Sequence, residues 1–239
     1  MPDYTLFIDD GGVLSDNFRR APEWRRLVAE FFPPRLGGEP EAWAEANRAT
    51  WRQVAEAHQP AMAVEGHYVE ALEVYERAWL VAMCEHVGVA APAGDACAAL
   101  AREASLYIMR RVRAAFPGAA GTVASLSDAG YTLHTASNQA SWELDAYLAP
   151  MGVVDRFGFL FGADLVGCMK PNPRYYERAF ALAGVDPSHA LVLDDTPEYL
   201  YAARAVDART VLVGPAEAPP GHPTIPSLAE LPALLDTLT

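Results

Sequence analysis

Four short apolar runs in this sequence each lead to residues with chemistry, and that ordered pattern constrains the fold more than any other feature. Tyr4–Ile8 leads to Asp9 and Asp10, and Tyr131–Thr135 leads to Ser137 and Asn138. Phe157–Phe161 leads to a loop holding Lys170, and Ala190–Leu193 leads to Asp194 and Asp195. Helical patterns separate the later runs, over Thr122–Ala129, Ala140–Leu148, Pro173–Leu182 and Pro197–Val206, and Thr210–Val213 reads as a further strand. Strands alternating with helices predict a parallel sheet with helices on its faces. Open sheets of this kind bind ligands beyond the carboxyl ends of their strands. Carboxylates, one ammonium and one hydroxyl would therefore converge at a single edge.

Between the first run and the rest, the pattern changes. From about Ala21 to Ala114 apolar residues recur at helical spacing, as in Trp24, Leu27, Val28 and Phe31, then Val69, Leu72, Tyr75, Trp79 and Met83. Pro22, Pro40 and Pro92 fall near expected helix starts. The fold class that follows is α/β: a doubly wound, Rossmann-like parallel sheet with an inserted all-helical cap. Residues 1–15 and 115–239 are expected to form the core and 16–114 the cap. The Pro/Gly-rich stretches Phe32–Pro40, Ala90–Gly94 and Gly214–Pro226 read as connectors.

Charge and composition narrow the function classes. The formal net charge is -13, which argues against a nucleic-acid or anionic-membrane surface. A small anionic metabolite is still compatible, because a local site can reverse the global sign. Cys84, Cys97 and Cys168 are odd in number and form no CxxC pair, which fits a reducing compartment. Cys84, His86 and Cys97 do not suggest zinc, since residues two apart on a helix face different sides. No apolar run approaches the roughly 18 residues of a membrane span, and the acidic start carries no signal-peptide pattern. The expectation is a soluble cytoplasmic protein, monomer or homodimer. One more fact stands out: Lys170 is the single lysine among 18 basic residues. An ammonium is a compact point charge and a guanidinium a wider fork, so Lys170 is a candidate for a position where arginine would not serve, chance survival of one lysine being the competing reading.

At these residues the chain resembles the haloacid dehalogenase-like hydrolase superfamily, in its class with a helical cap inserted after the first motif. Phe7-Ile-Asp9-Asp10-Gly11-Gly12-Val13-Leu14 matches the first motif, Thr135-Ala-Ser137-Asn138 the second, Lys170-Pro171 the third and Leu193-Asp194-Asp195 the fourth. The resemblance implies Asp9 as the nucleophile, Ser137 and Asn138 as hydrogen-bond donors to the transferred group, and Lys170 as the neutralising cation. It implies Mg²⁺ held by Asp9, the Gly11 carbonyl, Asp194 and Asp195, with Asp195 as direct ligand and Asp194 behind it. Asp10 reads as structural, because neighbouring side chains on an extended chain point apart.

The departure is at Gly11, where related phosphatases carry a second Asp that serves as general acid and base. Such help is worth about 10²- to 10⁴-fold. Without it, good leaving groups such as the carboxylate of an acyl phosphate are favoured over alkoxides. Two alternatives share the gap: a 2-haloacid dehalogenase, whose nucleophile attacks carbon without a metal, and a catalytically weak relative that binds a phosphorylated metabolite. The acidic pair Asp194–Asp195 favours a metal and so a phosphatase. A Schiff-base route through a cap lysine is excluded, because residues 16–114 contain no lysine. Gly12 and, in the cap, Arg19, Arg20, Trp24, His67 and Tyr68 are the candidates to reach a substrate. Helix packing is the competing reading for Trp24 and Tyr68.

Overall fold

A computed structural model describes residues 4–214 and 223–238. The chain divides into two compact units, one formed by the segments through Asn17 and from Ala114, the other by Phe18–Arg113.

The first unit is built on a six-stranded parallel sheet in the order β3-β2-β1-β4-β5-β6. The strands are β1 (Thr5–Ile8), β2 (Leu133–Ala136), β3 (Phe159–Phe161), β4 (Ala190–Asp194), β5 (Arg209–Val213) and β6 (Thr224–Ile225). β1 is central and pairs with both β2 and β4, with Ile8 opposite Thr135 on one side and Leu193 on the other. The chain winds outward from β1 in one direction through β2 and β3, then restarts beside β1 with β4. This reversal of order opens a crevice at the carboxyl ends of β1 and β4. β4 is buried along its whole length, as expected for a parallel strand covered on both faces.

One face of the sheet buries Leu6, Ile8, Leu191, Leu193 and Val211 against α6 (Ala119–Asp128) and the C-terminal α11 (Leu231–Leu238). The other buries Phe7, Val192 and Leu212 with Tyr175, Tyr176 and Phe180 of α9 (Pro173–Ala183) and with Leu200. Alternate residues of β1 and β4 thus serve opposite cores, and burial of each large side chain contributes about 1.5–3 kcal/mol.

The insertion leaves and returns through paired backbone. Asp16 N–H donates to Ala114 O at 2.7 Å, and Phe116 N–H donates to Leu14 O at 3.0 Å. The helices are α1 (Asn17–Phe31), α2 (Pro33–Leu36), α3 (Pro40–Met62), α4 (Tyr68–Val87) and α5 (Gly94–Met109). Within the helical unit, Phe32 stacks on Trp43 at 4.7 Å, and Trp79 donates to Asn47 Oδ1 at 3.0 Å.

Several expectations need correction. Pro22 lies inside α1, which begins five residues earlier at Asn17. The stretch Phe32–Pro40 contains the short helix α2. The Gly214–Pro226 connector carries β6, and its residues 215–222 lie outside the described residues. Lys170 does not follow β3 directly: α8 (Ala163–Val166) intervenes, capped by Gly167 in a left-handed conformation. Among the described residues, no helix is long and apolar enough to cross a membrane.

Candidate active site

The carboxyl ends of β1, β2 and β4 and the Lys170 loop bring the strand-end residues together around one buried ammonium. Lys170 Nζ donates to Asp9 Oδ1 at 3.0 Å, to Asp194 Oδ2 at 2.6 Å and to the Ala136 carbonyl at 2.8 Å. An ammonium has three donors, so all three are engaged by the protein. The Lys170 side chain is 1% exposed. Burying a charge this deeply is tolerated only with opposite charge and hydrogen bonds at hand. The two carboxylates hold Lys170 protonated, against the pull of burial.

Asp9 is buried at the tip of β1, and its backbone N–H donates to Leu193 O at 2.9 Å. Burial pushes its carboxyl pKa up to about 8; Lys170 opposes this and the nearby Asp194 charge adds to it. Asp194 is fully buried, with Oδ1 accepting from Thr196 N–H at 2.8 Å. Asp195 is half-buried and accepts from the Thr196 hydroxyl at 3.1 Å. Desolvation raises the Asp195 pKa, and the neighbouring Asp194 charge adds to the rise.

Gly12 explains how Asp195 can come so close. Its φ is +88°, and a Cβ built there would lie 1.9 Å from Asp195 Oδ2. Only glycine both adopts this backbone and leaves the space. A Cβ on Gly11 would stand 3.2 Å from Asn17 Oδ1, so the Asn17 amide occupies the space beside the missing side chain. Asp10 accepts from Ser15 Oγ at 2.9 Å, a bond within the turn that follows β1.

Ser137 and Asn138 follow β2. Ser137 is buried and its Oγ accepts from Gln139 N–H at 3.3 Å. The Tyr175 hydroxyl lies 3.1 Å from Ser137 O and 2.9 Å from Phe161 O, fixing the loop from below. Asn138 Oδ1 accepts from Lys170 N–H at 2.7 Å, while Nδ2 donates to Lys170 O at 3.3 Å. Asn138 thereby clamps the backbone of the lysine loop.

Sequence reasoning missed Tyr199. Its ring lies over Lys170 Nζ at 4.7 Å and its hydroxyl accepts from Asn138 Nδ2 at 3.3 Å. The available signal was position: Pro197 opens α10 (Pro197–Arg204), so Tyr199 stands in the helical turn directly after the acidic pair. The Ala136 carbonyl had no signal, since every residue has one.

The substrate candidates Arg19, Arg20, Trp24 and His67 belong to the helical unit. Trp24 packs edge-on against Trp79 at 5.8 Å, Tyr68 is buried, and His67 sits 3.5 Å from Glu70 on the surface. Arg19 is exposed and Arg20 half-buried.

Ligand oxygens of Asp9, Asp194 and Asp195 lie within 4.8 Å of one another, the one such group of metal-capable side chains among the described residues. Cys84, His86 and Cys97 form no second one. Three carboxylates against the single Lys170 leave an excess of negative charge and a hard-oxygen donor set, which fits Mg²⁺.

The sequence profile of the haloacid dehalogenase-like hydrolases matches residues 5–207. The chain is 31% identical over 132 residues to the plasmid-borne phosphoglycolate phosphatase of Cupriavidus necator, covering 52% of this chain and 57% of that protein. It is 29% identical over 131 residues to (S)-2-haloacid dehalogenase 1 of a Pseudomonas species, covering 52% and 58%. The chain spans about half the length of the curated relatives it matches. The fold matches the 2-haloacid dehalogenase of Pseudomonas syringae pv. Tomato DC3000 with a TM-score of 0.69 at 21% identity, over 99% of both chains. A profile that runs from β1 to beyond α10 takes in every strand-end residue described above, and the chain belongs to the haloacid dehalogenase-like hydrolases.

Proposed function

We propose that this hydrolase is a Mg²⁺-dependent phosphatase that uses Asp9 as its nucleophile and favours good leaving groups. The carrying observation is the trio Asp9, Asp194 and Asp195 around one committed ammonium. A pair of adjacent acids beside the nucleophile is what a cation needs and what an attack on carbon does not.

In this reading Asp9 attacks phosphorus and the leaving group departs, giving an aspartyl-phosphate that water then hydrolyses at phosphorus. Asp9, Asp195 and the Gly11 carbonyl would hold the metal, with Asp194 supporting from behind; both Asp194 oxygens already accept protein hydrogen bonds. Bound there, Mg²⁺ would supply positive charge to offset the negative charge of the three carboxylates and the substrate. Ser137 orients the transferred group; Asn138, expected from the sequence to do the same, has its amide committed to the Lys170 backbone and Tyr199 and acts by holding the lysine loop. Lys170 acts through Asp9 and Asp194, because its donors have no vacancy for substrate. The substrate class in this reading is a small anionic metabolite of the cytoplasm.

Residue 11 offers no proton donor, and the neighbouring Asn17 amide cannot supply one. Substrates whose leaving group is stable as an anion are therefore the ones turned over. The phosphatase relatives support the phosphoryl reading. Gly11, together with the dehalogenase relative, favours a second reading, a carbon–halogen hydrolase.

The test is direct. With an acyl phosphate, phosphate release should appear with Mg²⁺ and vanish with EDTA, and a 2-haloacid should yield no halide. EDTA-insensitive halide release without phosphate release would establish the second reading instead.

A further inference from the structure

We propose that Tyr199 is a positioning residue for Lys170: its ring seals the ammonium from water and its hydroxyl fixes the Asn138 clamp. The claim rests on the reading of Asp9 as nucleophile for its catalytic consequence, but not for its structural content.

Four observations carry it. Lys170 Nζ has its three donors on Asp9, Asp194 and Ala136 O, so the ring contact takes no donor and adds to these three bonds. The Tyr199 ring stands 4.7 Å from Nζ, within cation–π range. Lys170 is almost fully buried while Tyr199 is half-buried, so the ring forms a lid between ammonium and water. The Tyr199 hydroxyl also holds Asn138 Nδ2 at 3.3 Å, and Asn138 grips the Lys170 backbone through both its amide atoms. Ring and hydroxyl thus act on the two ends of one residue, the ring on the ammonium and the hydroxyl, through Asn138, on the backbone.

The consequence is a division of labour. Lys170 spends its three donors on holding the Asp9 and Asp194 carboxylates and the Ala136 carbonyl in place rather than on binding substrate. A water reaching Nζ would compete for one donor and loosen the Asp9 carboxylate. Tyr199 prevents that without touching the substrate, so its loss should lower turnover and leave substrate affinity alone.

The single lysine makes the test clean. A small amine-acetylating reagent, read by peptide mass spectrometry, reports Lys170 separately from any terminal amine. In wild type, Lys170 should acetylate at least tenfold more slowly than an exposed amine. Tyr199→Leu should raise that rate at least tenfold, and Tyr199→Phe, which keeps the ring, should stay near wild type. On an acyl phosphate with Mg²⁺, Tyr199→Leu should lose about tenfold in kcat with KM within twofold, while Tyr199→Phe, which loses only the bond to Asn138, should fall about two- to threefold; an unchanged kcat in Tyr199→Phe would overturn the role given to the hydroxyl.

Circular dichroism identifies a Leu variant that fails to fold, and Tyr199→Met then replaces it. Equal acetylation in wild type and the folded ring-less variant would overturn the proposal. So would a change confined to KM. If wild type releases no phosphate, the phosphatase reading fails by itself, and the acetylation rates still decide whether Tyr199 seals Lys170.

Discussion

Asp9 is held in a state that favours chemistry over stability. Burial raises its pKa to about 8 although Lys170 lies 3.0 Å away, so the ionised carboxylate is a cost to the fold. An amide of the same shape removes that cost and still accepts from Lys170. Asp9→Asn should abolish turnover while leaving the melting temperature unchanged or higher; a drop of several degrees would contradict this. Gly12 shows the opposite balance. Gly12→Ala would put a methyl 1.9 Å from Asp195 Oδ2 at a φ of +88°. Strain of this kind costs about 1–3 kcal/mol, and Asp195 must move. At least a tenfold loss of kcat with a lowered urea midpoint is expected, and a variant with wild-type kcat would refute the role given to this close approach. Lys170 was legible from the sequence because composition isolated it. Its engagement by a backbone carbonyl was not, since that depends on where β2 ends in space.

The elements were legible where period and length agree. β1, β4 and β5 announce themselves as continuous apolar runs, and their order set the crevice. α2 and β6 were missed because four and two residues carry no period, and the Pro and Gly in the stretches around them resemble loop. α8 was missed for the same reason, so Lys170 seemed to follow β3 directly. Tyr199 was invisible as part of the site because an aromatic in a helix usually packs. Pairing of β2 with β3 makes a prediction of its own. His134 is buried, and its Nδ1 accepts from Phe159 N–H at 2.9 Å, which requires the neutral ring. Desolvation lowers its pKa from 6.5 to about 4. Between these values the unfolded chain binds a proton that the folded chain does not. This contribution is present above pH 6.5 and is lost as pH falls toward 4, at up to about 1.4 kcal/mol per pH unit. Urea unfolding across pH 4–6.5 should show a shallower pH slope in His134→Gln than in wild type. Identical slopes would mean that His134 titrates normally.

Over the whole molecule, one sheet edge gathers residues from positions 9 to 199, and a helical unit is inserted where the chain first leaves that edge. The motif order made this architecture readable, because each motif sits at a strand end and parallel strands align their ends. The substrate was not readable: Arg19, Arg20, Trp24 and His67 carry no code for one. The chemistry turns instead on Gly11, which provides no acid. Gly11→Asp is sterically accessible, since its Cβ would meet the Asn17 amide at 3.2 Å and that exposed side chain can yield. The decisive measurement is phosphate release with Mg²⁺ by wild type and Gly11→Asp, each on an acyl phosphate and an alkyl phosphate. Wild type should turn over the acyl phosphate alone, and Gly11→Asp should gain about 10²-fold or more on the alkyl phosphate. Efficient release from the alkyl phosphate by wild type, or none from either substrate by either protein, would contradict an acid-less phosphatase built on Asp9.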